Sequence, residues 1–521
     1  MPEQSAPIEL GFPTKGLDEQ FGLNGQQQLT TPSCQNVRAY DPGSGRSRGG
    51  QRAGLTRHLS AQFNGSNPIQ DLGHVTTAQA APSATDITVR TVTPYVVSGG
   101  TVGTYSPSSF TTATAGSAAL SATVPAIFSA PLFQVVYFAD GINYKKWTAS
   151  TNTVSAWAAT AGTIPANGAN KPRLIELWRS RICVSGVIGD EHNWFFSCAG
   201  DATNWDYGQD FSPTMAIAGN NSDAGKVGDV INTMIPWSDE LMIFGCDHSI
   251  WVMQGDPAAG GSLVEVSDIT GMAWGRPWCK DPSGLVYFLG SRGGVYRMSP
   301  KGTPERISKP IEERFADLDL TNIIVKMVWN DRDQGVNVFL TPLDGSATTH
   351  YFYDARMGSW WPDVFADVAF NPVSVDVFDG DAPGDRAILL GCRDSRIRKW
   401  DNSGTADDTS AIASNVYVGP LRAGSMKSVL VNELQGTMAT GSSDVAYDVY
   451  AGETVQAATA ATVAKYSGTW SAGRNFSDRT RQHGDAIFVK LSNVADNETW
   501  AFESLHAEVK AHGPERQRLR I

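Results

Sequence analysis

The chain has 521 residues, 41% of them hydrophobic and only 18% charged, with 52 Gly, 27 Pro and 15 Trp. That length exceeds one simple core and predicts two or three domains, and many turn formers and aromatics with little charge favour β-structure over helices. A formal net charge of −12 argues against a surface built to grip nucleic-acid phosphates but is compatible with a wall that DNA passes without sticking.

Six scattered cysteines (Cys34, Cys183, Cys198, Cys246, Cys279 and Cys392) form no CxxC pair. They predict buried reduced thiols, not a disulfide frame or a zinc site. The opening MPEQSAPIEL has no basic n-region or apolar h-region, and no apolar run approaches the roughly 20 residues that span a bilayer. The expectation is a product folded in a cytoplasm, without a membrane span.

Residues 1–74 are turn-rich and predict an N-terminal arm leading into the first domain. Within Asn36–Leu59, Arg38, Arg46, Arg48, Arg52 and Arg57 face only Asp41. Arginines spaced among glycines pair with phosphates or carboxylates. Two readings stand: an arm tied to its own domain by ion pairs, or a contact with a neighbouring subunit, for which these five arginines are the candidates.

Residues 75–130 are dominated by Thr, Ala, Ser and Gly, with Asp86 and Arg90 the only charged side chains. Alternation in DITVRTVTPYVV predicts strands, so this is expected to be a small inserted β element whose weak polarity suits burial against another chain, with a flexible Ser/Thr loop as the other reading.

Residues 131–401 carry a repeat. Hairpins recur as FQVVYFADGINYKKWTAS, RLIELWRSRICVSG, LMIFGCDHSIWVMQGD, LVYFLGSRGGVYRMSPKG, GVNVFLTPLDGSATTHYFYDARMGSWW and AILLGCRDSRIRKWDNSG. Their turn glycines, Gly141, Gly186, Gly245, Gly290, Gly345 and Gly391, are spaced 45 to 59 residues apart. That period, built from short apolar strands, predicts an irregular β-propeller of about six blades with about four strands each. Trp147, Trp178, Trp251, Trp278, Trp329, Trp360 and Trp400 are expected in the wedges between blades. A long β-sandwich array is the other reading. From about 402 to 521 stricter alternation predicts a separate antiparallel, sandwich-like β-domain with a basic tail.

The chemistry-bearing motifs are few. No GxSxG, HExxH, Walker loop or strand-borne GxGxxG occurs, the eight histidines are scattered, and the Asp-box series of sialidase-type propellers is absent. No catalytic residue, cofactor site or firm metal site is assigned. Asp379, Asp381 and Asp385 form a loose calcium-loop candidate without the twelfth-position Glu of an EF-hand, and a solvated connecting loop is the plainer reading. Nine acidic residues between Asp201 and Asp256 face only Lys226. Asp201, Asp206, Asp210, Asp247, Asp256, Asp363 and Asp367 are therefore candidates for an acidic channel or rim. The turn holding Asp247 and His248 varies from repeat to repeat, which a repeat-encoded site would not do.

The order of parts resembles a known family. TKGLDEQFGLNGQQQLTTPSCQNVRAYDPGSGRSRGGQRAGL precedes the propeller, and RNFSDRTRQHGDAIFVKLSN with TWAFESLHAEVKAHGPERQR closes the chain. This layout is similar to the tail nozzle family of short-tailed bacteriophages (tail tubular protein B, packaged-DNA stabilisation). Asn36–Gly54, Arg474 to Arg481 and Trp500–Arg516 are its most telling pieces. The resemblance implies a non-enzymatic virion protein in the phage tail, made in the host bacterial cytoplasm. It implies a ring, commonly a hexamer, below the portal and adaptor and beside tail fibre or spike proteins. Such a ring continues the channel, retains packaged genomic DNA and lets it pass non-specifically at ejection. The alternatives are a propeller-type carbohydrate-binding or glycoside-hydrolysing host-surface protein, and a calcium-stabilised interaction propeller.

Overall fold

The structure, a computed structural model, describes residues 6–78, 90–208, 212–380, 385–422 and 427–512. It is all-β, with seven sheets arranged as propeller blades, six of them four-stranded and antiparallel and the seventh extended to six strands, followed by a β-sandwich. Blade 1 comprises Ile69–Ala78, Arg90–Ser98, Thr101–Ser106 and Ser109–Thr112. The first strands of blades 2 to 7 are Phe128–Leu132, Leu174–Trp178, Ile231–Ser238, Trp278–Lys280, Ile323–Asn330 and Pro372–Phe378. These first strands line the axis.

Each of the six hairpins recognised in the sequence lies in its own blade; five join the second and third strands, and RLIELWRSRICVSG joins the first and second strands of blade 3. Leu241–Cys246 shows why such strands are so apolar. Met242, Phe244 and Cys246 face blade 3, whereas Leu241 and Ile243 face blade 5. Both faces of the strand are covered, so both sets of alternating side chains are apolar.

Apolar clusters link neighbouring blades around the whole circle. Val97 meets Phe138 between blades 1 and 2, and Tyr137, Ile182 and Phe244 connect blades 2, 3 and 4. Ile243 meets Phe288 between blades 4 and 5, and Leu289 meets Phe352 between blades 5 and 6. Phe339 meets Leu390 between blades 6 and 7, and Leu389 meets Val96 between blades 7 and 1. The ring is thus closed, and its seam is zipped by the arm. Gly54–Arg57 supplies the fourth strand of blade 7, pairing antiparallel with Ile397–Asp401, Leu55 opposite Trp400.

Two expectations are corrected here. The segment at 75–130 is not an insert: its described strands belong to blade 1 and the start of blade 2, and Val96, Val97 and Val102 are fully buried within this chain. Its Thr- and Ser-rich composition hid it, because small β-branched side chains fill a blade as well as larger aliphatics do. The six hairpins therefore undercount the blades by one. The boundary at 402 also shifts, since Ala406–Asp407 and Ser410–Ala411 still belong to the blade 7 sheet.

The sandwich has two five-stranded sheets. One joins Ser428–Met438 and Phe502–His512 with the N-terminal strand Ala6–Leu10 at its edge. The other centres on Ala486–Asn493 and takes Cys34–Gln35 at its edge. Phe12 connects the two domains, its ring 6.1 Å from Trp361 of blade 6 and 5.9 Å from Phe502 of the sandwich. One continuous apolar core therefore runs from blades 5 and 6 into the sandwich. Among the described residues no helix is long and apolar enough to cross a membrane.

Candidate functional site

The arginine arm is sewn into its own chain. Arg38 donates from both terminal nitrogens to Asp363 at 2.7 and 2.6 Å. Arg52 grips Asp407 the same way at 2.8 and 2.6 Å, and its Nε donates to Asn36 at 2.9 Å. All four ionic side chains are buried. Burial opposes the charge on Arg52, but Asp407 and Asp363 outweigh it and keep the guanidinium protonated above its ordinary range. Arg48 bonds Asp41 and Glu503, and Arg57 pairs with Asp408 at 2.6 Å. Four of the five subunit-contact candidates are thus internal ties, leaving Arg46 as the exposed member with no ion pair among the described residues. Carboxylates that neutralise them come from far along the sequence, which is why Asn36–Leu59 looked unbalanced on its own.

The acidic candidates do not share a surface. Asp363 is buried against Arg38, and Asp367 caps the short helix Val368–Phe370. Asp247 sits in a turn between second and third strands beside His248. Asp201, Asp206 and Asp256 lie in loops between third and fourth strands, at the opposite end of the blades. Asp256 there caps Pro257–Ala259 and faces Arg179 at 3.3 Å. Asp210 and Asp381 fall outside the described residues. The other calcium candidates do not converge into a site: Asp379 faces Arg386 at 3.5 Å, Asp385 is exposed, and the described residues contain no cluster of three metal-type ligands. All six cysteines are free thiols, and all but Cys198 are buried.

A second concentration of ionisable groups, some buried and some half-buried, lies on the propeller axis around a cavity of about 430 Å³. Every blade except the fourth supplies part of its wall from the first strand or the residues leading into it. Blade 1 contributes Asp71 and His74, blade 2 Ser129, blade 3 Glu176, blade 5 Arg276, blade 6 Lys326 and blade 7 Asp376. Gly73 is required here, because a Cβ would stand 2.5 Å from the hydroxyl oxygen of Tyr95 lying across it. That phenol donates to Ser129 Oγ at 2.6 Å, and Ser129 in turn donates to Asp71.

Arg276 reaches across the axis from blade 5. Its Nε donates to Glu176 at 2.6 Å, and its Nη2 donates to the carbonyls of Ser129 at 2.7 Å and Ile175 at 2.9 Å. His74 Nδ1 lies 2.8 Å from Asp376. Lys326 is only 7% exposed, yet among the described residues its ammonium has no hydrogen bond or ion pair; it stands 4.6 Å from the Phe128 ring. Exposure rises along blade 1 from buried Asp71 to half-buried His74, and along blade 7 from buried Ser374 to half-buried Asp376. The cavity therefore opens at the His74 and Asp376 end.

The electrostatics follow from burial. Burial pushes the Asp71 carboxyl up to about 6 against the pull of Arg276, Ser129 and Lys326. Burial also raises Glu176, with Arg276 opposing. Lys326 is pushed down to about 8, first by burial and then by repulsion from Arg276. For His74 burial works against protonation, but the bond to Asp376 outweighs it and raises the imidazole above its ordinary value. An arrangement of this kind can bind a polar ligand and exchange protons with it near neutrality.

None of these axial residues stood out as a candidate. A signal was present: QDL at Asp71, IEL at Glu176, VKM at Lys326 and VDV at Asp376 each set one ionisable residue between less polar neighbours in a first strand. Aligning the repeats on those strands, in place of the hairpin turns, exposes the pattern.

No family model matches this chain, and no curated protein does. Among solved structures it is similar to the extracellular domain of BT4673, described as a two-component system protein of B. thetaiotaomicron. The identity is 11% over 89% of this chain and 59% of that one, with a TM-score of 0.45. It is also similar to YCF48 bound to D1 peptide (9% identity, 66% of this chain, 94% of that one, TM-score 0.38) and to Kluyveromyces lactis Hsv2 (10%, 57%, 98%, 0.29). The chain spans about half the length of the B. thetaiotaomicron domains it matches. Likeness at this level concerns the fold and says nothing of individual residues.

Proposed function

We propose that this chain is a structural ring component of a short-tailed phage tail, a nozzle that continues the DNA channel and holds the genome until ejection. The observation that carries the reading is the meeting of two segments on which the family resemblance rests. Gly49–Gln51 of the arm lies along Trp500–Phe502 of the closing strand: Gln51 N–H donates to the Trp500 carbonyl at 3.0 Å, and Phe502 N–H to the Gly49 carbonyl at 2.9 Å. Gly50 admits this approach, since a Cβ would lie 2.6 Å from the Trp500 oxygen. These two segments are thereby tied to the propeller through Phe12, Arg38 and Arg52. A part that bears load benefits from such coupling, because neither domain can tilt without breaking buried contacts.

The propeller axis itself is far too small for a duplex, so in this reading the channel runs between several copies around a common axis. The net charge of −12 suits a wall past which phosphates slide. The second reading, a carbohydrate-binding propeller, is favoured by the carboxylates of the axial cavity. Native mass measurement and negative-stain imaging of the purified chain separate the two. A closed ring of several copies is the expected result; a stable monomer that binds or cleaves a glycan overturns the nozzle reading.

A further inference from the structure

We infer that the axial cavity is a binding site for a small organic carboxylate, held by the ammonium of Lys326 and by Nη1 of Arg276. This does not depend on the ring reading. Three observations carry it.

First, two cations lie close to one aromatic ring, buried Lys326 and half-buried Arg276: the Arg276 guanidinium carbon is 5.6 Å and Lys326 Nζ 4.6 Å from the centre of Phe128. An aromatic face attracts each cation but does not remove the repulsion between them.

Second, the donors are not used up. Arg276 commits Nε and Nη2 to Glu176 and two carbonyls and, among the described residues, leaves Nη1 uncommitted. Lys326 commits nothing among the described residues, although it is 7% exposed. A buried ammonium without an acceptor is costly, and evolution usually supplies either a carboxylate partner or a ligand. The cavity's own carboxylates are engaged elsewhere: Glu176 with Arg276, Asp376 with His74, and Asp71 with Ser129.

Third, there is room. About 430 Å³ lies within the range of small-molecule sites, and its mouth is open beside His74 and Asp376. A carboxylate entering there meets two cationic lining residues, Lys326 and Arg276, able to donate charge-assisted hydrogen bonds. The uncommitted oxygens of Glu176 and Asp376 remain as acceptors for any hydroxyl groups it carries.

The test uses the purified full-length chain, titrated calorimetrically and by thermal shift with D-glucuronate, acetate and uncharged glucose at constant ionic strength. Saturable binding of glucuronate or acetate, with no response to glucose, is expected. Acetate binding assigns the carboxylate as the whole determinant, and binding of glucuronate alone adds the hydroxyls; both support the site. Lys326→Met is expected to melt at or above the wild-type temperature and to lose at least about tenfold in affinity. Failure of both acids to bind, glucose binding as tightly as glucuronate, or unchanged affinity in Lys326→Met overturns the assignment. Where that variant does not fold, a crystal of the wild-type chain soaked in glucuronate decides. A carboxylate on Lys326 Nζ supports the site, and ordered water alone or an adventitious additive only overturns it.

Discussion

The arm and the axis both bury charge, and they do so in opposite ways. In the arm both buried guanidinium groups face a carboxylate through two short bonds, Arg38 with Asp363 and Arg52 with Asp407. On the axis Arg276 is half satisfied, Lys326 has no acceptor among the described residues, and a cavity separates the strands. Matched charge fixes two domains in one orientation. Unmatched charge beside open space is kept where a ligand completes it. The same residue types thus serve structure in one place and recognition in the other, and the vacant coordination, not the burial, tells them apart.

The largest expected effect breaks the arm. Arg52→Ala leaves Asp407 buried without its partner, and equilibrium unfolding in urea is expected to show a loss of about 3–5 kcal/mol. Phe12→Ala, at the joint between Trp361 and the sandwich, is expected to cost about 3 kcal/mol and to split the transition into two steps read by separate probes.

On the axis the signature is pH. The folded Asp71 carboxyl titrates at about 6, above its ordinary 3.8, so between those values the unfolded chain holds fewer protons than the folded one. Stability due to this group is therefore greatest at low pH and is lost as pH rises from about 4 to 6. Asp71→Asn lacks that loss, and the wild-type stability relative to the variant is expected to fall by about 2–3 kcal/mol across the window.

Lys326 has the opposite sign, its folded value of about 8 lying below the ordinary 10.5. Stability due to it rises with pH between about 8 and 10.5, so any advantage of ligand-free Lys326→Met is expected to shrink over that range. Arg276, Asp71 and Glu176 face this ammonium, with His74 and Asp376 at the mouth. At the small end, Arg57→Ala removes a pair whose arginine side chain is 39% exposed, and a change under about 1 kcal/mol is expected. A loss as large as that of Arg52→Ala would erase the distinction between buried ties and surface pairs.

Legibility in the sequence followed distance along the chain. The hairpins at Gly141, Gly186, Gly245, Gly290, Gly345 and Gly391 were readable because a turn and its two strands are local. Blade 1 was missed as a blade because Thr and Ser replaced the aliphatics that marked the others. The arm's arginines were visible, but Asp363 and Asp407 are 325 and 355 residues away from Arg38 and Arg52, so ownership of the ties was not.

From the sequence alone came β-structure, a repeat closed into a propeller, a separate C-terminal β-domain and buried free thiols, since each depends on local alternation, turns or composition. Tertiary structure alone decided the seventh blade, the N-terminal strand that zips the ring and the destination of each arginine. It also decided the meeting of Asp71, Glu176, Arg276, Lys326 and Asp376 on one axis. Circular closure is the physical reason: it brings the first strands of distant repeats within reach of one another, and no property of any single repeat encodes which side chain stands opposite.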